Sequence, residues 1–222
     1  MCGRFTLTVD AHQIREAFPW ISVEEDIQPR YNIAPSQPLA VVPNDGKSRL
    51  DYFVWGLIPS WAKDPAIGNR MINARGETVD QKPSFRAAFR RRRCLIMADG
   101  FFEWKKVPGQ RAKTPTYIKM KDGKPFAFAG LWENWQAPDG STILSCTIIT
   151  TEPNDLIKDI HNRMPVILPE NAYANWLQPG ESEAEQLKPL LIPFASDELT
   201  AFPVSTLVNN PANESPSCIL PV

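Results

Sequence analysis

Residues 94–133 read CLIMADGFFEWKKVPGQRAKTPTYIKMKDGKPFAFAGLWE. Four apolar or aromatic runs (CLIMA, FFEWKKV, TYIKM and PFAFAGLWE) are set off by Pro108-Gly109 and Asp122-Gly123, pairs whose backbone preferences suit tight hairpin turns. Parallel strands would need a crossover of about a dozen residues between neighbours, and this stretch has no room for one. Outward from it the same texture continues. GRFTLT, PLAVV (38–42) and LDYFVWGLI (50–58) precede it, and ILSCTIITT (143–151), just after Asp139-Gly140, and MPVIL (164–168) follow. The reading is a mixed α+β fold dominated by antiparallel sheet, in a single domain over residues 1–222.

Helical signals are fewer. Asp10 is a suitable N-cap for a helix to Phe18, with Ile14 and Phe18 as an i,i+4 apolar pair. Helices are also expected over 83–93, 152–160, 169–178 and about 181–191. Proline is abundant, 22 residues in 222, which with 11 glycines favours short strands and structured loops.

Hydrophobic residues make up 43% and charged residues 22%, ordinary for a globular chain. No run reaches the roughly 18 apolar residues of a membrane span. The first twenty residues lack the apolar core of a secretory signal, so a place in the cytosol or at the nucleoid is expected. Net charge is −1, so any attraction to nucleic acid must come from a local patch. The four cysteines form no C-x-x-C pair and there are only two histidines, which leaves no familiar zinc spacing. Cys94 and Cys146 lie in strand-like runs and read as core thiols.

Cys2 differs because of its position. Removal of Met1 would expose an amine with an ordinary pKa near 7.7–8.0 beside a thiol near 8.5, both partly nucleophilic at neutral pH. The amine can form a Schiff base with an aldehyde, and the thiol can close on the same carbon as a five-membered thiazolidine. Basic residues gather at 82–93, KPSFRAAFRRRR, which suits a phosphate track or a solvated helix face. Glu103 lies between Phe102 and Trp104, where alternation turns it to the opposite strand face and partial desolvation would suit it to proton transfer. Asn73 lies two residues before Arg75, and His161 two before Arg163. Taken singly, each also fits a cap, a turn or a surface pair. His12 falls on an exposed helix face.

Six motifs occur in order: Met1-Cys2-Gly3-Arg4-Phe5, Arg30-Tyr31-Asn32-Ile33-Ala34-Pro35, Trp55-Gly56-Leu57-Ile58-Pro59, Ile72-Asn73-Ala74-Arg75-Gly76-Glu77-Thr78, Ala98-Asp99-Gly100-Phe101-Phe102-Glu103-Trp104 and His161-Asn162-Arg163-Met164-Pro165. Together they resemble the SRAP (SOS response-associated peptidase-like) family in its short bacterial form, over essentially the whole chain. The resemblance implies a β-rich, barrel-like domain with one basic groove, which shields abasic sites in single-stranded DNA by covalent crosslinking. It implies Cys2 as nucleophile, Glu103 as acid/base, His161 as a proton-transfer group that influences reversal, and Asn73 as the residue positioning the reacting centre. It implies Arg4, Arg75 and Arg163 on flanking phosphates, and Pro35 and Trp61 beside the lesion. Ser60-Trp61-Ala62 carries one tryptophan where some relatives carry two. Neither metal nor organic cofactor is required, no membrane partner is expected, and a monomer is. A Schiff-base stage also implies some abasic-site lyase chemistry, and the family name allows self-removal of Met1.

Three other readings remain. An N-terminal-nucleophile amidohydrolase would use the Cys2 thiolate on an amide. A thiol peptidase would use Cys2, Asn73, Glu103 and His161. A non-covalent single-stranded DNA binder would make Cys2 incidental.

Overall fold

In the computed structural model, which describes residues 2–23, 27–109 and 111–222, the apolar runs become strands close to their expected places. In chain order the elements are β1 (Phe5–Leu7), α1 (Ala11–Ala17), β2 (Arg30–Ile33), β3 (Pro38–Pro43), β4 (Asp51–Trp55), β5 (Asn73–Arg75), α2 (Arg86–Arg91) and β6 (Arg93–Ala98). There follow β7 (Gly100–Lys105), β8 (Thr114–Met120), β9 (Phe126–Gln136), β10 (Thr142–Thr151), β11 (Met164–Pro165), β12 (Ile167–Leu168), α3 (Tyr173–Trp176), α4 (Ala184–Leu187) and β13 (Leu199–Pro203).

Five strands close a ring. β4 pairs with β3, β3 with β6, β6 with β9 and β9 with β10, all antiparallel, and β10 returns to β4 in parallel. Closure leaves the ring no open edge to pair with another chain. β5 runs parallel to β10 beside this barrel, while β11 and β12 extend β10 and β9. A second, antiparallel sheet has the order β13-β8-β7-β1-β2. The fold is thus β-rich, mainly antiparallel and barrel-like. The two parallel pairings onto β10 come from strands distant in sequence, not from βαβ units.

Phe5 of β1 joins the sheets, its ring 5.2 Å from Trp55 and 5.6 Å from Phe128, both edge-on. Burying one such side chain contributes about 2–3 kcal/mol. On β7, Phe101 belongs to this main core, whereas Phe102 packs with Tyr117, Val204, Val208 and Cys218 under the C-terminal segment. Glu103 therefore sits on the barrel-facing side of β7, as alternation requires. Cys94 and Cys146 are fully buried.

The Ala98-Asp99-Gly100 run locks β1 in place. Asp99 accepts from the Thr6 hydroxyl (2.5 Å), the Thr8 amide (2.7 Å) and the Thr8 hydroxyl (2.5 Å). Gly100 has no side chain because a Cβ there would stand 2.1 Å from the Tyr117 hydroxyl, which reaches Thr6 at 2.8 Å. Replacing Asp99 by Ala strands these buried donors. The expected loss is about 3 kcal/mol, read as a fall in the urea midpoint.

Other expectations need correction. Asp122-Gly123 is no hairpin: it carries the chain from β8 in one sheet to β9 in the other, whereas Pro108-Gly109 and Asp139-Gly140 do turn hairpins. The helix expected over 152–160 is a set of hydrogen-bonded turns, with the Asn154 side chain accepting from the Ile157 amide. The one over 83–93 shrinks to α2, because Arg93 enters β6. Those over 169–178 and 181–191 each combine a single short α turn with a 3-10 segment, and Pro189 in the latter lacks the amide a longer helix would use. Capping was legible at α1, where Asp10 and Gln13 form a reciprocal capping box.

Candidate active site

Cys2 lies three residues before β1 and is fully buried. Its carbonyl accepts from Asn73 Nδ2 at 2.8 Å. Asn73 opens β5, whose parallel register on β10 (Asn73 opposite Ile148, Arg75 opposite Thr150) sets its height against the barrel. The first residues of the chain are further held by pairing of Phe5 with Ile33 and Phe101, and by the Phe102 amide donating to the Arg4 carbonyl at 2.9 Å.

Glu103, 2% exposed, has its Oε2 3.9 Å from His161 Nε2. His161 Nδ1 lies 3.1 Å from the Arg163 amide and 3.2 Å from the Arg163 carbonyl, which leaves Nε2 as the nitrogen turned toward Glu103. Burial raises the Glu103 carboxyl above its ordinary value and lowers His161 below its own, and the Lys113 charge acts on both. Each group is thus pushed toward its neutral form, a proton donor and a proton acceptor side by side. Burial, and then the charge of Glu103, push the Cys2 thiol well above the usual thiol range. The sequence suggested a thiol already partly ionised at neutral pH. Instead the folded chain holds it as S–H, because burial outweighs the influences that would lower it.

The arginines separate into different roles. Arg4 is half-buried: its Nη1 donates to Asn32 Oδ1 and to the Val208 carbonyl, both at 2.6 Å, and the guanidinium stands over Trp104 at 5.8 Å. Arg163 pairs with Glu77 through both Nη atoms and donates from Nη2 to the Thr150 carbonyl at 2.7 Å. The hydrogen bonds from Arg163 to Glu77 hold the Glu77 carboxyl below its ordinary value. Arg75 is exposed at the end of β5. Pro35 and Trp61 lie on adjoining loops, linked where the Ser36 hydroxyl meets Asn69 Oδ1 at 3.2 Å. Trp61 is 59% exposed, on a loop fixed by Trp135 Nε1 donating to the Ala62 carbonyl at 2.7 Å. Gly56 lies so near Gly68 that a Cβ would come within 2.6 Å of the Gly68 carbonyl, which draws the two ends of that loop together.

Cys2, Asn73, Glu103 and His161, up to 159 positions apart in the sequence, thus come together through direct contacts and mutual charge effects. The run Arg90 to Arg93 is paired or buried within the fold. Arg90 and Arg91 pair with Glu181 and Glu183, Arg92 pairs with Glu133, and Arg93 is buried against the carbonyls of Phe89, Arg90, Trp176 and Gln178. Sequence reading gave Asn32 no role, although a buried asparagine in a strand is itself a signal. Its amide donates to the carbonyls of Val208, Asn210 and Asn213 and strings the C-terminal segment along β2.

The profile of the SOS response associated peptidase (SRAP) family matches residues 1–211. The chain belongs to the SRAP family. Among SRAP-related proteins it is similar to "Abasic site processing protein YoqW" of Bacillus subtilis (strain 168), 48% identical over 222 residues and covering 99% of each chain. It is 32% identical to "Abasic site processing protein HMCES" of Rattus norvegicus over 100% of this chain and 76% of that one. A solved structure of a Bacteroides thetaiotaomicron protein superposes with a TM-score of 0.87 at 26% identity, covering 100% of both chains. The barrel and second sheet are therefore a shared SRAP architecture. Among the described residues, no helix is long and apolar enough to cross a membrane.

Proposed function

We propose that this SRAP chain, once Met1 is removed, captures the aldehyde of an abasic site in single-stranded DNA through both the amine and the thiol of Cys2. The carrying observation is the position of Cys2: second in the chain, buried, with its carbonyl held by Asn73. The names of the similar proteins, which process abasic sites, agree with this chemistry.

The steps balance as follows. The closed sugar opens as one acid–base group takes the C1 hydroxyl proton and another returns a proton to the ring oxygen. Glu103 and His161, held in neutral forms next to each other, suit these two transfers. The Cys2 amine attacks the aldehyde and water leaves, giving an imine. The thiol then adds across the C=N bond: sulfur bonds to carbon and its proton ends on nitrogen, closing a thiazolidine. A thiol kept as S–H favours this order, with the amine acting first and the thiol surrendering its proton only on ring closure. If closure fails, the imine permits elimination of the 3′ phosphate, a lyase side reaction. Arg75, Arg163 and Arg4 are assigned to flanking phosphates, with Arg75 the most available because it is exposed. Trp61 and Pro35 are assigned to the space beside the missing base. A cytosolic or nucleoid location and a monomeric state belong to this reading.

The amidohydrolase and thiol-peptidase readings need a resting thiolate, which the raised thiol disfavours. The non-covalent reading leaves the Cys2, Asn73, Glu103 and His161 cluster without a purpose.

The test is an intact mass after incubation with a single-stranded oligonucleotide bearing one abasic site. The expected species is protein without Met1 plus oligonucleotide minus one water, stable to heat and absent with undamaged DNA. Protein that has lost Met1 and yields no such species would refute the proposal.

A further inference from the structure

The β7–β8 hairpin carries a second cluster of positive charge. Its sequence from Trp104 is WKKVPGQRAKT, with Lys105, Lys106, Arg111 and Lys113 and no acidic residue between Glu103 and Asp122. Lys106, Arg111 and Lys113 are exposed and Lys105 is half-buried. Among the described residues none of the four is ion-paired, whereas Arg90, Arg91 and Arg92 all are. Four uncompensated cations on one tight turn repel each other, so a polyanion is the natural complement.

The hairpin also stands at the reacting centre. Lys105 shares a strand face with Glu103 two residues away, about 7 Å along β7. In the register of the pair, Thr114 faces Lys105 and Thr116 faces Glu103, and Lys113 directly precedes β8. The reach of its charge agrees, since Lys113 helps to lower both Glu103 and His161. β7 and β8 thus form a wall that leads from the buried acid–base pair to a basic rim.

We infer that residues 105–109 and 111–113 of this hairpin are a docking surface for the phosphodiester backbone of single-stranded DNA beside the lesion. The occupant is a nucleic-acid backbone because, among the described residues, the surface offers cations with no counter-charge of its own. This inference rests on the reading of the site as a binder of single-stranded DNA.

The experiment measures the salt dependence of binding to a lesion-free single-stranded oligothymidylate. Each lost phosphate contact lowers the slope of log affinity against log salt by about 0.7. A variant combining K105Q, K106Q, R111Q and K113Q is expected to lower that slope by about 2–3, and K113Q alone by about 0.7. R90Q combined with R91Q, which removes charges already paired, is expected to leave it unchanged. Should the fourfold variant fold poorly, the single K113Q variant carries the test. An unchanged slope in the hairpin variants, or an equal fall in the Arg90 and Arg91 variant, overturns the inference and leaves the capture chemistry standing. Absence of single-stranded DNA binding by the wild-type chain overturns the inference together with the binding part of the functional reading.

Discussion

Protein with Cys2→Ser that has lost Met1 is expected to form no heat-stable adduct with abasic-site DNA, a drop of at least about a thousandfold. Serine keeps the α-amine, so the imine can still form. Its hydroxyl adds poorly to the C=N bond, so the aldehyde stays exchangeable and is lost on denaturation. Borohydride should therefore trap the serine variant on DNA as a reduced amine, while untreated samples separate under denaturing electrophoresis. Reversible binding to undamaged single strands should stay within about twofold, because phosphate contacts dominate that affinity and Cys2 makes none. A serine variant as durable on DNA as the wild type would remove the thiol from the reaction. A variant that borohydride cannot trap would remove the amine.

Glu103→Gln is expected to slow adduct formation by about 10²- to 10⁴-fold, the usual contribution of one acid–base group. It is also expected to make the protein more stable at neutral pH. Burial raises the Glu103 carboxyl in the folded state, so the folded chain holds that proton more tightly than the unfolded chain does. The carboxyl's relative stabilising effect is thus full below the ordinary carboxylate value near 4.5 and is lost as pH rises through the raised folded value. Glutamine never ionises and escapes that loss. Denaturant midpoints of the two proteins should coincide near pH 4 and separate above it, with glutamine the more stable. Equal midpoints at neutral pH, or a wild type stabilised by ionised Glu103, would show that the carboxylate is well solvated or firmly paired and not held for proton transfer.

Local regularities in the chain account for a good part of this. Strand alternation over FFEW put Glu103 on the face opposite Phe102 and Trp104, and it is there because side chains of a strand must alternate. Asp10 ahead of an amphipathic turn marked α1, and Pro108-Gly109 and Asp139-Gly140 marked two hairpins, because capping and turn preferences act within four residues. Cys2 was legible as a candidate from its place, since removal of Met1 would make it an aminothiol. The strands β2, β5 and β13 were not legible: RYNI, NAR and LTAFP have little apolar periodicity and are strands because neighbours pair with them.

The charges divide along the same line. In sequence, Arg90 to Arg93 is the densest basic run, and the chain alone could not say what faces it. In the fold, Glu181 and Glu183 lie opposite two of those arginines, Glu133 opposite the third, and carbonyls from Trp176 and Gln178 enclose Arg93. Among the described residues, the scattered bases of the hairpin have no such partners. The sequence by itself determined the strand-rich class, the place of Cys2 second in the chain and the strand face on which Glu103 lies, because these follow from covalent order and short-range backbone geometry. Only the tertiary structure decided which cations stay free and how far burial raises Cys2 and Glu103, because charge pairing and loss of water depend on groups brought together from distant parts of the chain.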